Sequence, residues 1–206
     1  MNNPTRQAHW ENLYATRGEG EVSWFQEHPT VSLDLIRAAG ATPHSSVIDI
    51  GGGASRLVDA LLDEGFDAVT VLDISAAALA AAQRRLGAKA AKATWIVADM
   101  TTWEPAALYD LWHDRAVLHF LTEASDRAAY LARLTKALRP GGHAIIGTFA
   151  LDGPERCSGL PVVRYDGESL AALLGPGFER VATQPHAHQT PTGAIQRFQF
   201  STFRSR

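Results

Sequence analysis

Short β-branched runs alternate along most of the chain with longer segments whose apolar residues recur every three or four positions. Ser46-Val47-Ile48-Asp49-Ile50 is apolar at nearly every position, as a strand buried on both faces must be. Ala68–Asp73, Thr94–Ala98, Tyr109–Arg115 and His143–Phe149 repeat that pattern. Helical spacing separates them. Leu57, Val58, Leu61 and Leu62 mark one helix. The Ala-rich run from Ala76 to Ala93, interrupted by Leu79 and Leu86, marks another. Glu123 to Leu138 sets Ala128, Leu131, Leu134, Thr135 and Leu138 on one face. Ser75 and Thr122 precede two of these segments as cap residues, and Arg139-Pro140-Gly141-Gly142 stops the last. Strands and helices in strict alternation predict an α/β domain with a parallel sheet.

The two ends of the chain depart from this rhythm. Trp10, Tyr14, Trp24 and Phe25 crowd the beginning, where Asn12, Gly18 and Gly20 are expected to break two helical pieces. A further helix is expected from Pro29 to Ala39, with Val31, Leu35 and Ile36 on one face. The aromatics either pack against a sheet edge or make residues 1–40 a helical lid, with Tyr14 and Trp24 its foremost members. Beyond Ala150 the periodicity stops, and Leu151–Asp166 reads as a structureless loop. Loops of that length inside a compact domain are usually functional. The stretch 151–167 is therefore either a substrate-side loop, with Cys157, Ser158, Arg164 and Tyr165 as candidates, or a plain surface flap. Glu168–Leu174 reads as a short helix. Phe178–Gln184 and Ala194–Phe203 read as two closing strands, with His186 and His188 in the hairpin loop between them. A His-x-His pair can ligate a metal, but no third ligand accompanies it, so no metal site is expected.

Composition narrows the class. A chain of 206 residues is most simply one domain, 1–206, burying roughly 70% of its unfolded surface. No run approaches the roughly 18 apolar residues of a membrane span, and Met1–Arg6 is polar, unlike the apolar core of a signal peptide. The lone Cys157 excludes an internal disulfide and a multi-cysteine zinc site. These features together favour a cytoplasmic enzyme. A net charge of −3 gives no global attraction to nucleic acid.

The candidate chemistry centres on Asp49-Ile50-Gly51-Gly52-Gly53-Ala54-Ser55, between the first strand and its helix. Successive glycines let a ligand approach the backbone, and the helix turns its free N–H groups toward that space. This is a nucleotide-type corner or else an ordinary βα turn. The dinucleotide fingerprint would need glycine where Arg56 stands. Asp73 closes the second strand 22 residues after Gly51, where a carboxylate accepts from both ribose hydroxyls. Its alternative role, a helix cap, is better filled by Ser75. Ile74 would then lie against an adenine. Asp99-Met100 closes the third strand.

An acidic residue followed by spaced glycines, with Ser55 in place of the last one, resembles the first motif of the class I S-adenosylmethionine-dependent methyltransferases. Tyr109-Asp110-Leu111, followed by Val117-Leu118-His119-Phe120-Leu121, resembles their fourth motif. Leu138-Arg139-Pro140-Gly141-Gly142 resembles the turn before their fifth strand. The N-terminal Trp-x-x-x-Tyr and Ser-Trp-Phe elements also look like small members that methylate lysines or bacterial small molecules. The resemblance implies a seven-stranded, mostly parallel sheet of order 3-2-1-4-5-7-6, with strand 7 antiparallel and helices on both faces. It implies S-adenosyl-L-methionine as donor and S-adenosyl-L-homocysteine as product. Tyr14, Trp24, Asp49, Gly51, Gly52, Gly53, Ser55, Asp73, Ile74, Asp99, Met100 and Asp114 would hold the cofactor, with Asp99 near the adenine amino group and Met100 on the ring.

His113-Asp114-Arg115 is more polar than the small residues usual at that strand end. Arg115 would bind an anionic group or pair with Asp114, and His113 or His119 would accept a proton. The alternatives are a satisfied core histidine for His113 and a packed helical turn for His119. The implied chemistry is in-line displacement at a sulfonium methyl, governed by alignment. A small-molecule acceptor is the first expectation, and a protein lysine the second. A nicotinamide-dependent oxidoreductase and a non-catalytic S-adenosylmethionine-binding protein stand outside that class.

Overall fold

The computed structural model describes residues 3–206, so Met1 and Asn2 of the polar N-terminal stretch lie outside it. Five strands run parallel: β1 (Val47–Ile50), β2 (Val69–Asp73), β3 (Ala93–Val97), β4 (Tyr109–Arg115) and β5 (Leu138–Phe149). A separate two-stranded hairpin follows, β6 (Arg156–Cys157) with β7 (Leu160–Pro161). The antiparallel pair β8 (Phe178–Gln189) and β9 (Ile195–Ser205) completes the main sheet. Its order is β3-β2-β1-β4-β5-β9-β8. Leaving out the small hairpin, this is the 3-2-1-4-5-7-6 arrangement implied by the sequence motifs, with β9 antiparallel to β5.

Alternation along each strand sends neighbours to opposite faces. Ile48, Ile50, Leu72, Trp112, Ala144 and Ile146 face α5 (Ala124–Ala137) and α6 (Gly167–Leu174). Val47, Val69, Val71, Leu111 and Ile145 face α2 (Thr30–Ala38), α3 (Leu57–Asp63) and α4 (Ala76–Leu86). Helices therefore cover both faces, and each fully buried Leu or Ile contributes about 2 kcal/mol. The remaining helix, α1 (Asn3–Thr16), joins neither layer. Its side chains touch residues at the carboxyl ends of β1, β2 and β3.

Several local expectations change. Asn12 does not break the first helix. It lies exposed within α1, where a polar residue is tolerated. The Ala-rich helix ends at Leu86, because Gly87 takes φ 56°, and residues 87–92 form a tighter turn. Ser75 caps α4 as expected, accepting from Ala78 N, but Thr122 is not a cap. The residue before α5 is Glu123, and the Arg127 guanidinium instead binds the carbonyls of Leu121 and Thr122. Leu151–Asp166 contains the β6–β7 hairpin and is not structureless. The closing strands run longer than their pattern, so His186 and His188 lie within β8 and not in a loop.

Candidate active site

The glycine corner is built against its neighbours. Gly51 N and Gly52 N donate to Leu72 O at 2.7 and 3.2 Å, tying the turn to the end of β2. Gly51 has φ 63°, and a Cβ there would come within 2.0 Å of Val117 Cγ2. A Cβ on Gly52 would meet Asp49 Oδ2 at 2.6 Å. The Tyr14 hydroxyl sits over Gly53. Ser55 Oγ accepts from Leu57 N at 3.2 Å and so caps α3.

A cleft of about 1030 Å³, its open mouth included, runs along the carboxyl ends of the strands. Tyr14, Trp24, Asp49, Gly51, Gly52, Ser55, Asp73, Ile74, Asp99 and Met100 all line it. Gly53 lies just outside this lining, beneath Tyr14 and beside Asp73.

Asp73 is buried at the end of β2. Its Oδ1 accepts from Ser75 N at 2.8 Å, and the backbone N–H groups of Gly53 and Ile74 also support it. Burial pushes its carboxyl up to about 7, with the nearby Asp49 charge adding to the rise and the backbone bonds only partly offsetting it. Asp99 does two things. Its Oδ1 caps the turn through Thr101 N and Thr101 Oγ1, at 2.7 and 2.6 Å, while Oδ2 faces Arg6 at 3.4 Å. One oxygen therefore caps the loop after β3, and the other, facing Arg6, remains toward the cleft.

Strand parity decides the fate of His113-Asp114-Arg115. His113 pairs in register with Asp49, so both point to the α2 face. His113 Nδ1–H donates to Asp49 Oδ1 at 2.7 Å, and Nε2 meets Ser32 Oγ at 2.9 Å. With both nitrogens taken, His113 touches the cleft wall but is a satisfied core histidine, not a proton acceptor. Asp114 points the opposite way. Its carboxylate accepts from Val117 N, Leu118 N and Tyr130 Oη, and Tyr130 Oη in turn accepts from Trp112 Nε1. Burial raises Asp114 to about 6 despite these bonds. Asp114 is buried on the far side of the strand and not part of the cleft lining, which speaks against its catalytic and cofactor assignments, and it does not pair with Arg115. Arg115 does reach the cleft: Nη1 donates to Trp24 O and Gln26 Oε1, at 3.0 and 2.8 Å.

His119 is fully buried between Phe120 and Phe149, with Phe149 N donating to its Nδ1 at 3.4 Å. Desolvation lowers it to about 3, and it does not line the cleft, so it belongs to the packed turn and not to the chemistry. Of the loop candidates, Cys157 alone lines the cleft, and burial holds its thiol up at about 11. Arg164 pairs with Glu155, Tyr165 lies in the core beside Leu170, and Ser158 turns the small hairpin at φ 50°. Among residues 6–206, whose side chains are described, no cluster of three or more metal-ligating side chains forms around His186 and His188.

Three residues at or beside the cleft, Arg6, Glu11 and Gln196, escaped the sequence reading. Arg6 lines the cleft and pairs with Asp99 and Asp126. Glu11 accepts from Ser75 Oγ at 2.7 Å and from Ala77 N at 3.2 Å, clamping α1 onto the start of α4. Trp10 and Gln196 also line the cleft. Arg6, Trp10 and Tyr14 stand four residues apart, a helical stripe visible in the sequence once α1 is continuous. Gln196 has no sequence signal.

Residues 47–142 match the family model of the methyltransferase domain. Thiocyanate methyltransferase 1 of Arabidopsis thaliana is 28% identical over 188 residues, covering 89% of this chain and 78% of that protein. Trans-aconitate 2-methyltransferase of Azoarcus sp. (strain BH72) is 32% identical over 122 residues, 59% of this chain and 46% of that protein. The chain likewise spans about half, 47%, of Nodulation protein S of Rhizobium tropici, which is 25% identical over 114 residues. The structure of Burkholderia thailandensis 1,6-didemethyltoxoflavin-N1-methyltransferase superposes with a TM-score of 0.76 at 23% identity, covering 100% of this chain and 91% of that one. The family match over residues 47–142 and the fold together support a class I S-adenosylmethionine-dependent methyltransferase. The dinucleotide alternative is thereby set aside, in keeping with Arg56, which turns outward to Glu27 and Phe25.

Proposed function

We propose that this chain methylates a small-molecule acceptor, with S-adenosyl-L-methionine as donor. The observation that carries this reading is the aromatic lining of the cleft, to which Trp10, Tyr14, Trp24, Phe120 and Phe198 all contribute, with Trp10 packed edge-on against both Trp24 and Phe120. Such a lining excludes water and aligns a small acceptor, whereas a lysine on a protein surface would call for an open acidic rim. The relatives named for thiocyanate and trans-aconitate support a small acceptor as well.

The chain's own groups fit the donor. Asp73, which has no cation beside it, would receive the ribose hydroxyls, Ile74 and Met100 would hold the adenine, and Asp99 Oδ2 would face its amino group. Gly51 and Gly52 line the cleft, and their missing Cβ atoms let Val117, Asp49 and Val71 pack directly against the corner. S-adenosylmethionine supplies an already activated methyl group when bound. The protein's part is to orient, to desolvate and to exclude water. The histidines considered as bases are both withdrawn, His113 by its two partners and His119 by its place in the core. The acceptor therefore brings its own lone pair, as an anion or a weakly basic ring nitrogen does at neutral pH, whereas an alkyl amine would first have to shed a proton to solvent. We take residues 1–40 as the lid: α1 is strapped over the donor half by Arg6 and Glu11. The single free, buried cysteine supports a cytoplasmic setting.

The test is release of S-adenosylhomocysteine from S-adenosylmethionine in the presence of thiols, amines, inorganic anions and lysine peptides. Turnover with one or more small compounds and none with peptides is expected. Donor binding with no turnover of any acceptor would favour a non-catalytic binding protein. Turnover confined to peptides would move the acceptor to protein.

A further inference from the structure

The methyl-transfer reading leaves one part of the cleft without a task. The donor's groups occupy the ends of β1, β2 and β3. On the other side of β1 the lining comes from β4 and β9, which stand two strands apart in the sheet with β5 between them, about 10 Å. Arg115, Ala116, Phe120, Cys157, Gln196 and Phe198 form that end.

Arg115 is held at one nitrogen. Nη1 is fixed by Trp24 O and Gln26 Oε1, while Nε and Nη2 make no hydrogen bond to any described side chain or backbone group. Neither is sealed away from solvent, and Arg115 lines the cleft. No carboxylate forms an ion pair with Arg115 among the described residues, and Asp49, the nearest acidic influence on it, already serves His113. A guanidinium walled by apolar side chains with no counter-charge is an uncommon arrangement, and a bidentate anion satisfies it. Gln196 is unsatisfied too. Its Oε1 is buried without a partner, and Nε2 reaches Ser23 Oγ only at 3.4 Å. Because an amide can present either end, turning it lets Ser23 Oγ donate to the oxygen and sets two N–H donors where the buried, unpartnered oxygen now lies, at the wall of the cleft that Gln196 lines. The flanking His186 and His188 stay neutral through burial, and the charge of Arg115 keeps them so.

We infer that the β4–β9 end of the cleft is a subsite for the carboxylate of a small acceptor with a flat apolar body, gripped by Arg115 and Gln196 and sandwiched by Phe120 and Phe198. This rests on the methyl-transfer reading and adds the substrate class to it. Arg115 acts here as a specificity-determining residue. A carboxylate is also present on the donor's amino-acid tail, so the test must separate the two sources.

Benzoate and benzamide are titrated calorimetrically into wild type, Arg115→Gln, Arg115→Lys and Gln196→Leu, each saturated with S-adenosylhomocysteine. Melting curves establish that each variant is folded. Benzoate is expected to bind the loaded wild type at least tenfold more tightly than benzamide. Arg115→Gln should erase that preference while changing S-adenosylhomocysteine affinity by less than threefold. Arg115→Lys should keep part of the preference, and Gln196→Leu should reduce it several-fold. Equal affinity for benzamide, or no saturable benzoate binding at millimolar concentration, overturns the subsite. So does a tenfold loss of S-adenosylhomocysteine affinity in Arg115→Gln together with competition between it and benzoate, since Arg115 would then hold the donor's tail. Failure of wild type to bind S-adenosylhomocysteine at all would take down the methyl-transfer reading as well, whereas the other failures take down only the subsite.

Discussion

Asp73 links function to stability in a way that can be measured without any ligand. Its carboxyl is raised from 3.8 to about 7, chiefly because burial disfavours the charge. The folded state therefore holds this proton more tightly than the unfolded chain. The stability it lends is full below about pH 4 and is lost as pH rises toward 7, a total of about 4 kcal/mol at about 1.4 kcal/mol per unit. Asp73→Asn removes the titration and keeps an oxygen for Ser75 N. The variant should gain on the wild type by about 2–3 kcal/mol between pH 5 and pH 8. For a chain of this size that is a widening of about 5–10 °C in Tm. Differential scanning fluorimetry of both proteins in matched buffers, without ligand, reads it directly. Because Asp114 titrates in both, the difference isolates Asp73. A Tm gap that stays constant from pH 5 to pH 8 would refute the claim that Asp73 is a buried carboxylate kept for a ligand.

Gly51→Ala places a methyl group 2.0 Å from Val117 Cγ2 at φ 63°. It should weaken S-adenosylhomocysteine binding more than tenfold in calorimetry while circular dichroism still shows the sheet. His113→Ala orphans Asp49 Oδ1 and Ser32 Oγ, and should cost about 2–4 kcal/mol in urea unfolding. Whatever activity it retains should keep the wild-type pH profile, and loss of one limb would show that His113 moves a proton. Tyr130→Phe breaks the buried relay from Trp112 to Asp114 and should cost about 1–3 kcal/mol. Its S-adenosylhomocysteine affinity should stay within twofold of wild type, since a tenfold loss would return Asp114 to the cofactor site.

The parallel core was legible because burial on both faces makes β1 and β2 short apolar runs, and because an acid, Asp49, Asp73 or Asp99, stands at or near the end of three of its strands. The edge strand β8 was not. Nearly all of Glu179–Gln189 is exposed, so no apolar alternation marks it, and Pro185 reads as a stop. At a sheet edge a missing N–H costs little, and the strand continues through it. The catalytic trio illustrates a different limit. Three adjacent polar residues in a strand cannot share a face, so His113 and Asp114 had to part. Which of them met Asp49, however, depended on the β1–β4 register, which lies in no local pattern. The aromatic beginning was read as a possible lid, but Asn12 concealed that α1 is one helix and hid the Arg6–Trp10–Tyr14 stripe. Gln196 matters through what surrounds it in three dimensions, and residue type alone could not single it out.

The central claim is that the glycine corner and Asp73 form the donor site. Isothermal titration of S-adenosylhomocysteine into wild type and Asp73→Ala tests it most directly. The account predicts micromolar binding that Asp73→Ala weakens tenfold or more, about 1.4 kcal/mol. No binding to the wild type, or binding that Asp73→Ala leaves untouched, would contradict it.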